Sequence, residues 1–464
     1  MKNKRYYIIG LCFWLVGITL AKADPADPSV KRLIETVDGE RVEVQLIGDE
    51  YGFYWKSVVD NRCFVEAAGH PGRFSRVNPE SILSKARIRR SAQEQESTSL
   101  RSTSEQGYPC AKKKLTGKQR IPALLVEFQD DRFSTPDVTA TFNKLLNTKD
   151  YNEGENVGSV KDYFLAQSNG LLELDFDIIG PIRMANDVAY YGRDDDDGHI
   201  DIHMPDLVSE AVAAADPNID FSIYDWDKDG TVDHVLVIFA GLSQSSGGTS
   251  DNIWSHKGVT SAFRNGVRIY EYACAPELRE YYEGIRLASI GTICHELSHS
   301  FGLQDTYDYT TGNYGTHGWD LMGTGNHNNS GYTPAGYTAF DKMFCRWQQP
   351  IKLEEDAFVD NIQPMADGGN FYLIPNDTYP NEFYLLENRQ LKGWDAKLPG
   401  HGMLIMHVDY DETLFHRNIV NLNKEGNDHE RCGLFLADND PTLSSMSEEW
   451  IKRLTGRPLS LQRK

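Results

Sequence analysis

Within the run ICHELSHSFGLQD, residues 293–305, two histidines stand four positions apart, and a glutamate directly follows the first. On a helix, residues i and i+4 share a face one turn apart. His295 and His299 therefore aim their imidazoles at one point, as two ligands of a tetrahedral zinc ion require. Glu296 is too close to its neighbour to join the same metal easily, but it is placed to take a proton from water there, as a general base does. Gly302 can adopt the left-handed conformation that ends a helix and turns the chain back. Asp305, six residues after His299, then returns to face the metal as a third ligand, with Asp308 the runner-up. A chance HExxH is on the order of a few per cent in a chain of this composition, and the added glycine and acid cut that about a hundredfold.

Downstream, HGWDLMGTG (317–325) puts Met322 in a glycine-rich turn. The pattern HExxHxxGxxH followed by a methionine turn defines the metzincins, in which the methionine lies beneath the metal ligands. The competing arrangement takes its third ligand from a glutamate on a later helix, and no glutamate occurs between Glu296 and Glu354. A second constellation, DWDKDGTVD (225–233), places Asp225, Asp227, Asp229 and Asp233 at positions 1, 3, 5 and 9 of a calcium loop with Gly230 at its turn. Position 12 is Leu236 and a strand comes next, so the expectation is a hairpin-like calcium loop and not an EF-hand. The acid run RDDDDGHID (193–201) reads as a solvated loop. His256, His407 and Glu387 read as structural, and Cys63 as core packing in preference to a thiolate cap on the metal.

These residues need a scaffold, and the chain has the length for one. Its 464 residues suffice for two or three domains with a buried core. The basic start, apolar run from Tyr6 to Leu20 and the trio Ala21-Lys22-Ala23 read as a signal peptide, residues 1–23, cut before Asp24. This predicts a secreted, periplasmic or cell-surface location, with no membrane span in the mature protein. Loss of Lys2, Lys4, Arg5 and Lys22 takes the net charge from −21 to −25, which argues against a nucleic-acid partner. The cysteines left after residue 23 are scattered and include no CxxC pair, so a cysteine zinc site is not expected.

Alternating apolar and polar residues predict a small β-rich propeptide over 24–84, and polar composition an exposed linker over 85–119, open to trypsin-like cutting at Arg89, Arg90, Arg101 and Lys112, Lys113 and Lys114. From there to 346, strands (121–128, 171–178, 234–241, and an edge strand at 266–274) alternate with helices (158–168, 205–216, 284–302, 333–344). Residues 347–464 read as a β-rich section that breaks off as if truncated. The fold class is α+β: a metzincin-like zinc protease domain with a mixed sheet and an active-site helix, preceded by a β-rich propeptide and followed by a β-rich section.

The runs IPALLVEFQDDRF, GSVKDYFLAQSNG, DWDKDGTVDHVLVIFAG, IWSHKG, CHELSHSFGLQDTYD, WDLMGTG and LENRQLKGWDAKLPGHGMLIMHVD resemble the immune inhibitor A family of secreted bacterial metalloproteases over roughly residues 120 to 410. The resemblance implies a zinc endopeptidase made with a propeptide, exported, often calcium-stabilised and acting on proteins or peptides. It maps His295, His299 and Asp305 onto the metal ligands and Glu296 onto the base. Some metzincins carry a tyrosine two residues after the turn methionine. Here that position is Thr324, leaving Tyr332, Tyr337 or a backbone N–H for the oxyanion. The alternative from another class is an exported calcium-binding adhesin or carbohydrate-binding protein. An intact Glu296 between both histidines speaks for the enzyme, since a binding module needs none of that geometry.

Overall fold

The computed structural model describes residues 22–70, 72–92, 101–103, 108–195, 199–281, 283–309, 315–422 and 429–435. The body of the expected signal peptide, the centre of the 193–201 acid run and the last 29 residues, 436–464, lie outside them. A two-residue strand β1 (Lys22–Ala23) leads into a closed five-stranded barrel: β2 (Lys31–Thr36), β3 (Arg41–Asp49), β4 (Gly52–Ser57), β5 (Cys63–Glu66) and β6 (Arg73–Val77). Alternation in β3 sends Val42, Val44 and Leu46 inward and leaves Arg41 and Glu43 exposed. Parallel pairing of β2 with β6 closes the ring, so no strand edge is left bare.

The expected exposed linker begins instead as helix α1 (Glu80–Ala92). Its face is not apolar, which is why periodicity gives no helix signal. Ala86 packs so closely on Gly52 that a β-carbon there would sit 2.9 Å from the Ala86 methyl. One turn on, Arg90 is buried, bonding Asp49 Oδ2 and Asp308 Oδ1, both at 3.2 Å, so it is closed to trypsin. β7 (Arg101–Thr103) and β8 (Pro109–Ala111) form a two-stranded ribbon.

The main body comes next: β9 (Gly117–Glu127), α2 (Val138–Asn147), α3 (Val160–Gln167), β10 (Leu172–Arg183), α4 (Val188–Tyr191), α5 (Met204–Ala215), β11 (Thr231–Val232), β12 (Leu236–Leu242), β13 (His256–Arg264), β14 (Val267–Tyr281), β15 (Gly284–Leu287), α6 (Gly291–Ser300) and α7 (Ala339–Phe344). Strand order is β1-β13-β14-β12-β9-β10, parallel from β14 to β10 and antiparallel at β13 and β1. The buried apolar runs of β9 and β12 sit centrally, covered on both faces, as continuous hydrophobic strands must be. β14 is not the edge strand expected from its sequence, since β11, β12, β13 and β15 all pair with it. The helix expected over 284–302 forms only from Gly291. Residues 284–287 are mostly exposed and pair with the end of β14. Likewise only the second half of 333–344 is helical, opened by a capping box between Thr338 and Asp341.

A second sheet, β16 (Ile351–Lys352), β17 (Tyr372–Pro375), β18 (Glu382–Arg389), β19 (Gly402–Asp409) and, after helix α8 (Glu412–His416), β20 (Cys432–Leu434), completes the described chain. It is not a separate unit. Phe371, Phe383, Leu385, Met406 and Val408 share one apolar core with Leu297, Phe301 and Met322.

Candidate metal centre

α6 packs on β14 with nearly all of its residues buried, so both histidines and Glu296 are shielded from solvent. Each imidazole is oriented by a backbone carbonyl: His295 Nδ1–H donates to Leu321 O at 2.8 Å and His299 Nδ1–H to Leu303 O at 3.1 Å. Both therefore present Nε2 to the same space, the tautomer that a metal ligand needs. Gly302 takes φ 100° and turns the chain, and Asp305 Oδ1 comes to 3.3 Å from each Nε2. One donor atom from each of the three side chains lies within 4.8 Å of the others. All three donor atoms are buried without a hydrogen-bond partner, as are both carboxylate oxygens of Glu296. Buried polar atoms are rarely left so, and two nitrogens with one oxygen at this spacing fit a zinc ion.

The electrostatics suit the same reading. Burial favours the neutral form of Asp305, yet the two imidazoles facing it hold its carboxyl well below the usual range. Burial also opposes charge on His295, which Asp305 raises, and on His299, which is lowered to about 4. Burial pushes Glu296 well above the usual carboxylate range, with Asp24 and Asp305 adding to it.

Met322 is fully buried in the same core, and its carbonyl accepts from Thr306 N at 3.0 Å. The preceding carbonyl, Leu321 O, holds His295, so this turn acts on the site through its backbone as well. Asp308 is not in the donor group; it pairs with Arg90. Tyr337 shares a hydrogen bond of 2.5 Å with Ser298 Oγ, and Tyr332 stacks on Tyr281 with centroids 5.7 Å apart. Thr324 donates its backbone N–H to His317 O at 2.9 Å.

Asp225, Asp227 and Asp229 converge within 4.8 Å, but Asp233 does not join them. It is buried, paired with Lys113 Nζ at 2.7 Å and accepting from Trp226 N, because β11 starts before it and turns it inward. Cys63 sits in the barrel with Sγ on Asn61 O. His407 pairs with Glu382, His256 lies between Tyr272 OH and Trp254 O, and Glu387 binds Ala339 N and Arg389.

Two further contributors have no counterpart among the sequence motifs. Asn418, far downstream, accepts from Asp305 N at 2.8 Å and donates to Asp305 Oδ2 at 2.5 Å, which leaves Oδ1 for the histidines. The N-terminal segment after β1 is buried against the site: Asp24 accepts from Asn326 Nδ2, from Thr292 Oγ1 at 3.1 Å and from Ser245 Oγ at 3.2 Å. Neither leaves a pattern in the sequence, since each contact spans more than a hundred residues.

A mixed sheet carrying a buried helix with two histidines and a carboxylate defines an α+β protease domain. The chain belongs to the immune inhibitor A peptidases: the family model "Immune inhibitor A peptidase M6, catalytic domain" matches residues 113–350, more than half of it. It is similar to "Pre-pro-metalloprotease PrtV" of Vibrio cholerae serotype O1 (strain M66-2), 24% identical over 279 residues, 49% of this chain and 29% of that protein. It is also similar to "Immune inhibitor A" of Bacillus thuringiensis subsp. alesti, 27% identical over 280 residues, 49% of this chain and 39% of that protein. The match thus spans well under half the length of either relative.

Proposed function

We propose that the chain is a secreted zinc metalloendopeptidase acting on proteins or peptides, with His295, His299 and Asp305 as the zinc ligands and Glu296 as general base. The observation that carries this is the convergence of three unpartnered buried donor atoms on one point with an unpartnered carboxylate beside them. Zinc, when bound, supplies Lewis acidity toward a peptide carbonyl and toward water. Glu296 takes the proton of the attacking water and returns it to the leaving amine. The relatives' printed names support the same activity. Glu296→Gln should retain bound zinc, measured by metal analysis, while casein cleavage falls by a factor of about 10² to 10⁴. Cleavage at the parent rate would remove Glu296 from the mechanism.

The N-terminal segment favours synthesis as a zymogen. β1 pairs antiparallel with the edge strand β13, and Asp24 N–H continues that pairing to Ser255 O at 3.0 Å. Edge-strand addition is a standard way to bind an extended peptide, so the segment covers the groove that a substrate would use. Signal-peptide removal before Asp24 would take β1 but keep Asp24 and the residues after it. Nicking of the 93–119 stretch should raise casein cleavage; an unchanged rate after complete nicking would exclude latency by the barrel.

Asp225, Asp227 and Asp229 we assign to calcium. The loop's own amides partly occupy their oxygens, as with Gly230 N on Asp225 Oδ2 at 2.9 Å. The ion would lock the turn before β12. EGTA should lower the melting temperature of the parent but not of Asp227→Asn combined with Asp229→Asn.

A further inference from the structure

Residues 24–27 carry two acids, and each occupies a built pocket. Asp24 lies in the polar pocket of Ser245, Thr292 and Asn326 beside Glu296. Three residues on, about 10 Å of extended chain, Asp27 is fully buried and ion-paired to Arg279. Arg279 projects from the end of β14, its side chain only 4% exposed, with its guanidinium 5.5 Å from the Tyr281 ring and donating to Ser29 Oγ at 3.2 Å. Ser29 and Asp27 both belong to the N-terminal segment. Directly opposite Arg279 across the β14–β15 pair stands a second arginine, Arg286, whose guanidinium packs 4.5 Å over the same tyrosine. Like charges directly opposite repel, and a buried cation without a partner is costly. Asp27 is the one acidic partner of Arg279 among the described residues.

We infer that this groove, once residues 24–27 leave it, selects substrates with an acidic side chain, and that Arg279 is the residue that reads it. This rests on the endopeptidase reading above. The backbone of residues 24–27 bonds the main body as a bound peptide would, with Asp24 N–H donating to Ser255 O and Asp27 N–H to Ser245 O, both at 3.0 Å, so its side chains mark where substrate side chains go. Departure of Asp27 leaves a guanidinium fixed by Tyr281, lining the groove and lacking its counter-charge. A carboxylate of the substrate restores the pair with a charge-assisted hydrogen bond. The pocket of Asp24 holds the neutral donors of Ser245, Thr292 and Asn326, with His327 Nε2 farther off at 3.7 Å, so without a fixed guanidinium it selects less strongly.

The nicked full chain tests this with paired peptides differing only in Glu against Gln at each position around the cleaved bond. The expected result is one position where the acid raises kcat/KM on the order of tenfold to a hundredfold, the worth of one charge-assisted hydrogen bond. In Arg279→Gln that ratio falls to near one, and Arg279→Lys restores part of it. Equal ratios in the parent and Arg279→Gln overturn the assignment. If Arg279→Gln does not fold by circular dichroism, the parent's peptide pairs decide alone: no acidic preference at any position is a refutation. If the nicked chain cleaves nothing, the endopeptidase reading has failed, and binding decides this one. Fluorescein-labelled DPADP should bind the metal-free nicked chain at least about tenfold more tightly than DPANP by anisotropy, and equal affinities overturn the proposal.

Discussion

Asn418 does for Asp305 what Leu321 and Leu303 do for the histidines. A carboxylate left free to rotate offers its two oxygens indifferently, whereas one oxygen tied to an amide donor offers only the other. The asparagine is itself held in the left-handed region at φ 54°, a conformation that asparagine tolerates better than most residues. Asn418→Ala should weaken zinc binding by about 10- to 100-fold, the usual effect of losing a group that orients a ligand, as measured by competition with a chelator. Asn418→Asp, which places a second carboxylate against Asp305, should do at least as much damage. An unaltered zinc affinity in both variants would show that backbone geometry alone holds Asp305. Here lies the limit of what is legible at this scale. His295, Glu296, His299 and Asp305 are close in sequence and tied by helix geometry, so their spacing announces them. Asn418 reaches Asp305 across 113 positions, and the motif HRNIVN has nothing that distinguishes it from a surface turn.

At the scale of elements, what positions the site is the docking of the second sheet beneath α7. Arg389, at the end of β18, is fully buried; it bonds Asp395 through two nitrogens, at 2.6 and 2.8 Å, and Gly336 O at 3.0 Å. Glu387, two residues earlier on the same strand face, accepts the Ala339 N–H at 2.8 Å, where the positive end of a helix favours an anion. Removing one member of such a cluster leaves the others charged and dry. Arg389→Ala should therefore cost about 3–5 kcal/mol, read as a lower urea midpoint, and an unchanged midpoint would mean that the apolar core alone joins the sheets. Strand and helix identities in the main body are legible because the core strands are long apolar runs and α5 is amphipathic. Edges are not. β14 reads as an edge strand because its first half alternates polar and apolar residues, yet its polar side chains find partners, as Glu271 does with Lys257 at 2.6 Å. The stretch 284–290 reads as part of the helix because its apolar spacing is ambiguous between the two periods.

For the molecule as a whole, the barrel and the main body meet through both an apolar and an ionic surface. Phe53 lies 5.1 Å from Trp254, centroid to centroid, and Arg90 bridges Asp49 of the barrel to Asp308 of the main body. The barrel's strands are legible from their alternation. This docking is not, because its anchor is an arginine in a stretch whose composition is that of a linker. The docked state is acid-favoured. Burial pushes Asp49 up to about 6, against the pull of Arg90, and Asp308 adds to the rise. Burial and the charge of Asp49 raise Glu50 well above its usual value. An undocked barrel exposes both carboxyls to water, where they titrate near 4. A group raised on docking contributes stability that is complete below its free pKa and is lost as the pH climbs through the docked value. Docking should thus weaken between about pH 4 and pH 6 and beyond, by at most about 1.4 kcal/mol per pH unit for each proton released. The urea midpoint of barrel release, followed by Trp254 fluorescence, should fall across that range in the parent and much less in Asp49→Asn. Matching pH slopes in the two proteins would place the titration elsewhere, and a midpoint that rises with pH would reverse the sign assigned to this interface.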